Sequence, residues 1–239
     1  MELAFARLLA DDRRGAQSAA ADAVRAAGSC DERTRALALR TLAMVEGTLE
    51  DALRAATQAA PLLERIGDVR GLSRLWDSIA YTALECGAVA EARTLIDRAL
   101  AYLDRGAGPV EVVYVLGNAA LVALESGDRT LARDRFREVV TRAQDLGIRR
   151  PVPEALLGLS LLAAQSGEGK RAGHLAGAAT RLGAEWPAEP LADRMRVAVN
   201  EAGRRLLGEE CWRRTVNHGA TLGLEAVHML AVDDTPESR

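Results

Sequence analysis

Small and apolar residues recur along this chain in stripes of helical spacing, and the stripes are punctuated by glycines at a fixed interval. Gly47, Gly87, Gly127 and Gly167 stand 40 residues apart, and each is followed five residues later by an alanine: Ala52, Ala92, Ala132 and Ala172. A fainter copy, Gly15 with Ala20, lies 32 residues before the first. Counting back 11, 8, 7 and 4 places from each glycine gives Ala36, Leu39, Arg40, Ala43; Trp76, Ile79, Ala80, Ala83; Leu116, Ala119, Ala120, Ala123; and Leu156, Leu159, Ser160, Ala163. Those offsets trace one face of a 3.6-residue helix. Beyond the glycine, places 5, 9 and 12 form a second stripe: Ala52, Ala56, Ala59; Ala92, Ile96, Ala99; Ala132, Phe136, Val139; and Ala172, Ala176, Ala179. Each repeat therefore predicts two helices joined at the glycine.

The pattern has a packing rationale. A glycine that ends the first helix takes a left-handed conformation at little cost, and the alanine that follows lets two antiparallel helices approach closely. Turn signals at Gly67-Asp68, 105–109, 147–151 and 183–190 separate one pair from the next, and no segment alternates with a period of two. The expected class is all-α. Helices are predicted over 2–10, 14–27, 32–46, 49–66, 69–86, 89–104, 110–126, 129–146, 152–166, 169–182, 191–207, 209–217 and 222–231. The array occupies 1–187, in units of about 1–30, 31–68, 69–108, 109–150 and 151–187. Capping helices follow over 188–231, and the polar stretch 232–239 is expected to fray.

The repeat resembles the tetratricopeptide (TPR) family, in which a large residue, a small one, an aromatic and an alanine stand at these relative places. Trp76 and Phe136 fall on two of the aromatic positions, and the four alanines that follow the glycines fall on the family's alanine. The period here is 40 rather than 34, so the helices are longer, and the proline near the end of the family's repeat is missing. The lengthened form resembles the helical-repeat region of large bacterial transcriptional regulators of the LuxR and signal-transducing ATPase type. That second resemblance rests on the stretch 175–182, on Leu207-Gly208 and Trp212, and on 219–222 and 224–227. Together the resemblances imply antiparallel helix pairs stacked as a right-handed superhelix with a C-terminal helical cap.

Composition narrows the function classes. The hydrophobic fraction is 49% but only 3% is aromatic, so alanine, leucine and valine must build the core through close helix approach. A formal net charge of −3 gives no electrostatic footprint for nucleic acid. Lys170 is the only lysine among 31 basic residues, which reads first as the codon bias of a GC-rich bacterial genome. Cys30, Cys86 and Cys211 show no ligand spacing and read as reduced thiols of a cytoplasmic protein. The segment 1–10 carries Glu2 and Arg7, against a secretory signal, and no run reaches the roughly 20 apolar residues of a membrane span.

Candidate chemistry is sparse. The turn Gly167-Glu-Gly-Lys170-Arg171 lacks the earlier glycine and the following Ser or Thr of a P-loop, where Ala164 and Arg171 stand instead. Nor is there room after Ala231 for the helix-turn-helix of the resembled regulators, so neither ATPase nor DNA-binding activity is expected of this chain. Cys211 and His218, seven residues apart, read as a core thiol and a capping histidine rather than a metal pair. No nucleophile stands near a base in a recognisable order, so no catalytic residue, metal or cofactor is expected.

In an array of the resembled kind the first helix of each pair lines the inner curve. Register then places Arg74, Asp77, Tyr81 and Glu85 there in the second unit. Tyr114, Asn118, Leu121 and Glu125 follow in the third, and Glu154, Leu157 and Leu161 in the fourth. The helix at 110–126 is apolar around its whole circumference, as is 157–164, so each needs cover on more than one side. Three covers fit: tight closure of the superhelix on itself, another chain, or an apolar ligand. Some TPR proteins hold a peptide's terminal carboxylate with groove lysines, and this groove has none. The expected function is a non-enzymatic interaction module, the regulatory or scaffold region of a bacterial transcriptional regulator. It would bind a protein segment or self-associate as a homodimer. The alternative is a sensor that holds a small amphiphilic molecule in the inner groove.

Overall fold

The structure, a computed structural model, describes residues 2–10, 12–187 and 189–233. Among the described residues there are thirteen helices: α1 Glu2–Leu9, α2 Arg13–Ala27, α3 Glu32–Val45, α4 Leu49–Arg65, α5 Val69–Glu85, α6 Val89–Leu103 and α7 Pro109–Glu125, followed by α8 Arg129–Leu146, α9 Val152–Gln165, α10 Gly169–Gly183, α11 Pro190–Leu207, α12 Glu209–Gly219 and α13 Leu224–Val232. No strand is present among the described residues. Each helix lies within two residues of the bounds that periodicity predicts. Val232 still belongs to α13, and the rest of the expected tail, 234–239, lies outside the described residues.

The glycine-centred turn works as expected in three of the four copies. Gly87, Gly127 and Gly167 have φ of 75°, 80° and 85°. The next residue in each, Ala88, Asp128 or Glu168, donates its N–H back five residues to Ala83, Ala123 or Ala163, at 2.8–2.9 Å. That is the 6→1 bond of a Schellman ending, and it satisfies a helix carbonyl that would otherwise be orphaned. Gly47 departs from the pattern. There α3 ends through Glu46 in an extended conformation, and Thr48 caps α4 by accepting from the Asp51 N–H. A polar N-cap of this kind does not need a left-handed residue before it.

The alanines five places on are fully buried in all four copies, as are Ala59, Ala99 and Val139. Alanine at these points lets paired helices approach until a larger side chain would part them. In the α5/α6 and α9/α10 pairs a serine adds a bond across the approach: Ser73 Oγ to the Ala99 carbonyl at 3.4 Å, and Ser160 Oγ to the Ala172 carbonyl at 2.7 Å.

The chain packs as two compact units that divide between Asn118 and Ala119, within α7. In the first, α1, α2 and α3 close around Ala4, Ala16, Ala20 and Val45, and the α3/α4 and α5/α6 pairs follow. In the second, α8 lies on α9, α9 pairs with α10, and α11 crosses α9. Trp212 of α12 sits in a cluster with Ala163, Ala172, Ala176 and Val199, and its indole donates to Asn200 Oδ1 at 2.9 Å. Glycines make this packing possible. A Cβ on Gly203 would lie 2.2 Å from the Trp212 ring, and one on Gly177 would lie 2.0 Å from the Val216 carbonyl oxygen.

Candidate functional site

The α5 face that carries the expected groove residues begins one turn earlier than periodicity suggested. Arg70, Arg74, Asp77, Tyr81 and Glu85 follow one another at intervals of four, three, four and four, which places them on one side of a helix. Arg70, Asp77 and Glu85 are fastened by neighbours. Arg70 donates through Nε and a terminal nitrogen to Glu111 Oε2 at 3.3 and 3.2 Å. Glu85 lies 3.9 Å from the Arg13 guanidinium of α2. Asp77 Oδ1 accepts from Asn118 Nδ2 at 2.8 Å, and the same amide reaches the Asp77 carbonyl at 3.4 Å.

Arg74 is exposed, and Tyr81, Tyr114 and Asn118 are half-buried. The polar, chemically varied members of the set therefore belong to the first unit. They include one acid with an unusual environment. Burial pushes the Asp77 carboxyl up to about 7, against the Asn118 hydrogen bond and the Arg74 charge, which both pull it down. A carboxyl in this range exchanges its proton near neutrality, and so alters the charge of the face it sits beneath.

The remaining expected residues lie in the second unit and differ in kind. Glu125 is exposed and Glu154 half-buried, whereas Leu121 and Leu157 are buried. Leu161 packs on the cluster formed by Val199 of α11, Trp212 of α12 and their neighbours. The apolar circumference of α9 is thus taken up by α8, α10 and α11 of the same chain.

Several contributors escaped the sequence reading. Glu111, only 4% exposed, takes the Arg70 charge. Arg40 stands at the stripe position where the other copies have Ala80, Ala120 and Ser160, and that break in the pattern was a visible signal. Its Nε is buried without a hydrogen-bond partner, and its nearest acid, Asp68, is 3.8 Å away. Burial pushes the Arg40 guanidinium down, Asp68 opposes that, and the charge of Arg74 adds to it. Two guanidiniums consequently face the same region of the first unit. Near the α3 ending, Gln17 Nε2 donates to Glu46 at 3.2 Å. Burial first, and then the Asp51 charge, push the Glu46 carboxyl up.

Elsewhere, His218 Nδ1 lies 3.2 Å from His174 Nε2 with the rings edge to face, so His218 has an imidazole partner on α10. Cys30 and Cys86 are exposed thiols and Cys211 is half-buried, all three free. Among the described residues no three His, Cys, Asp or Glu side chains converge as metal ligands, and no helix is long and apolar enough to cross a membrane. No protein-family model matches the chain, and no match was found among curated proteins.

Proposed function

We propose that this chain is a non-enzymatic helical-repeat interaction module. Its repeats would stack in the TPR manner, and its first unit would offer the α5 face to a protein segment or to a second copy. The observation that carries this reading is the construction of that face. Ion pairs and a hydrogen bond to α2 and α7 hold Arg70, Asp77 and Glu85 in place, while Arg74 reaches solvent between them. Fixed charges flanking exposed and half-exposed side chains make a preorganised recognition surface, which limits the ordering entropy that binding costs. The apolar face of α9 is already covered by α11, so it lends less support to an amphiphile held there. Placement in the regulatory or scaffold region of a bacterial transcriptional regulator, and hence in the cytoplasm, follows from the resemblance of the lengthened repeat alone.

Native mass spectrometry of the purified chain tests the proposal, with Arg74→Ala/Tyr114→Ala as the comparison. A dimer or an added polypeptide mass that the double variant loses supports an interaction module. An added small-molecule mass on a monomeric chain, lost in the double variant, would replace it with the sensor reading.

A further inference from the structure

A second concavity lies on the first unit, away from the groove residues named above, and its lining has the makings of a ligand site. It is open to solvent, has a volume of about 360 Å³, and is formed by Glu64 of α4, Trp76 of α5, and Arg98, Ala101 and Tyr102 of α6, with Arg105 just beyond α6. The Arg98 guanidinium carbon is 5.0 Å from the centroid of the Trp76 ring, and that of Arg105 is 4.9 Å from the centroid of Tyr102. Contacts of this type occur about once per 70–80 residues, so two in one chain is an ordinary number. Their convergence on one concavity is what carries weight.

A guanidinium held over a ring keeps its in-plane N–H donors for another acceptor, and those donors match a carboxylate fork. Neither Arg98 nor Arg105 has an ion-pair partner among the described residues. Glu64, by contrast, is engaged: the Tyr102 hydroxyl donates to its Oε1 at 2.9 Å. With two arginines and one glutamate the lining carries a formal charge of +1. That charge suits a monoanion better than a phosphate dianion, because Glu64 would repel the second negative charge. The walls supplied by Trp76, Ala101 and Tyr102 suit a flat apolar body attached to the anion.

We propose that this concavity is a binding site for a small monocarboxylate with a flat apolar body, its carboxylate received by Arg98 and Arg105 and its body set against Ala101 and Tyr102 beside the buried Trp76. The site is independent of the α5 recognition face, and either can fail without the other.

The test uses the full chain labelled with ¹⁵N at the tryptophan indoles. Its three tryptophans, Trp76, Trp186 and Trp212, provide one reporter and two internal references. The probe is phenylacetate, titrated at constant ionic strength beside 2-phenylethanol, phenethylamine and inorganic phosphate. Phenylacetate is expected to move the Trp76 indole resonance saturably, with a dissociation constant of about 1 mM, as befits a ligand of fragment size. The Trp186 and Trp212 resonances should stay in place. The alcohol should bind about tenfold more weakly, and Arg98→Gln/Arg105→Gln should weaken phenylacetate by at least about tenfold. Circular dichroism and an unchanged thermal-unfolding midpoint confirm that the double variant is folded. An immobile Trp76 resonance overturns the proposal, as does equal binding of the alcohol or the amine. Phosphate acting as strongly as phenylacetate overturns the carboxylate assignment. Undiminished binding by the folded double variant overturns the role of the arginines.

Discussion

Asn118 and Asp77 are joined across α7 and α5 by a 2.8 Å hydrogen bond from the amide nitrogen to a carboxylate oxygen that water scarcely reaches. The bond keeps Asp77 buried, and burial raises its pKa from 3.8 to about 7. Between those values the folded chain holds a proton that the unfolded chain has released. The Asp77 contribution to stability is therefore most favourable below about pH 4, falls as pH rises through the window, and levels off above about pH 7. Asp77→Asn keeps an oxygen to accept from Asn118 and removes the titration. The variant's gain in urea-unfolding free energy over wild type should grow between pH 4 and pH 8, reaching about 4 kcal/mol. A difference that does not change with pH would show that Asp77 titrates as an ordinary exposed acid.

Arg40 presents the opposite problem, a half-buried charge whose Nε has no hydrogen-bond partner. Its Nε is unsatisfied and its distance from Asp68 is 3.8 Å, while Asp68 already accepts the Gly71 N–H as the cap of α5. Replacing a poorly satisfied buried charge with an apolar side chain of similar length is commonly neutral or stabilising. Arg40→Met should therefore leave stability unchanged or raise it by about 1 kcal/mol in chemical denaturation, since methionine adapts to irregular space. A loss larger than that would mean the Asp68 pairing outweighs the cost of desolvation.

How much of this was legible in the sequence depends on how local each signal is. Gly87 and Ala92 announce a turn and a close approach within six residues, and both are realised because one helix ending and one contact distance decide them. Gly47 looked the same, yet the cap at Thr48 removed the need for a left-handed residue. The pairs that build the α5 face were harder to see. Arg70 with Glu111 and Asp77 with Asn118 are each 41 residues apart, one more than the repeat period, because α5 and α7 meet one residue out of register. Leu161 was recognisable as apolar, but that α11 and α12 cover it is a tertiary fact with no local signature. Arg98 and Tyr102 lie on a second helix of a pair, where a reading focused on the inner curve does not look.

Three α10 glycines mark a close helix crossing. Gly169, Gly173 and Gly177 recur every four residues along one face. Added Cβ atoms would meet Leu207 at 2.9 Å, Thr215 at 2.6 Å and the Val216 carbonyl oxygen at 2.0 Å. The last obstacle is backbone and cannot rotate away. On α12, Gly219 returns the contact, its added Cβ falling 2.2 Å from the His174 carbonyl oxygen. An alanine in mid-helix would ordinarily gain up to about 1 kcal/mol over glycine. Here Gly177→Ala should instead lose about 2–3 kcal/mol by forcing α12 away from α10. Gly223→Ala, with nothing within 4 Å of the new methyl group and no positive φ, should lose only the N-cap preference of glycine over alanine, about 0.5–1 kcal/mol. Thermal unfolding of the two variants side by side checks the contrast, and equal effects would exclude a tight α10/α12 crossing.

The attachment of α13 rests on arginine more than on apolar burial. Only Val227 and Ala231 of this helix are buried, while Leu224 and Met229 are 65% and 51% exposed. Arg171 reaches it from α10, donating to the Leu230 carbonyl at 3.1 Å and to the Asp233 carbonyl at 2.7 Å, and to Glu168 at 3.1 Å. Arg137 of α8 reaches the Ala231 carbonyl at 3.3 Å, and Arg181 of α10 reaches the Leu222 carbonyl at 2.9 Å. The Arg171 and Arg137 bonds satisfy carbonyls at and just past the helix end, which have no partner within the helix, and the Arg181 bond holds the turn that precedes it. Removing the Arg171 fork should cost the docked state about 2 kcal/mol, roughly a 30-fold rise in local opening. Hydrogen exchange of Arg171→Ala should then show protection lost over 224–232 by that factor, with α9 and the body of α10 unchanged. Lysine at 171 supplies a point charge in place of a planar fork and should recover only part of the protection. If exchange over 224–232 is the same in all three proteins, the two buried side chains hold α13 by themselves and the arginines only decorate its end.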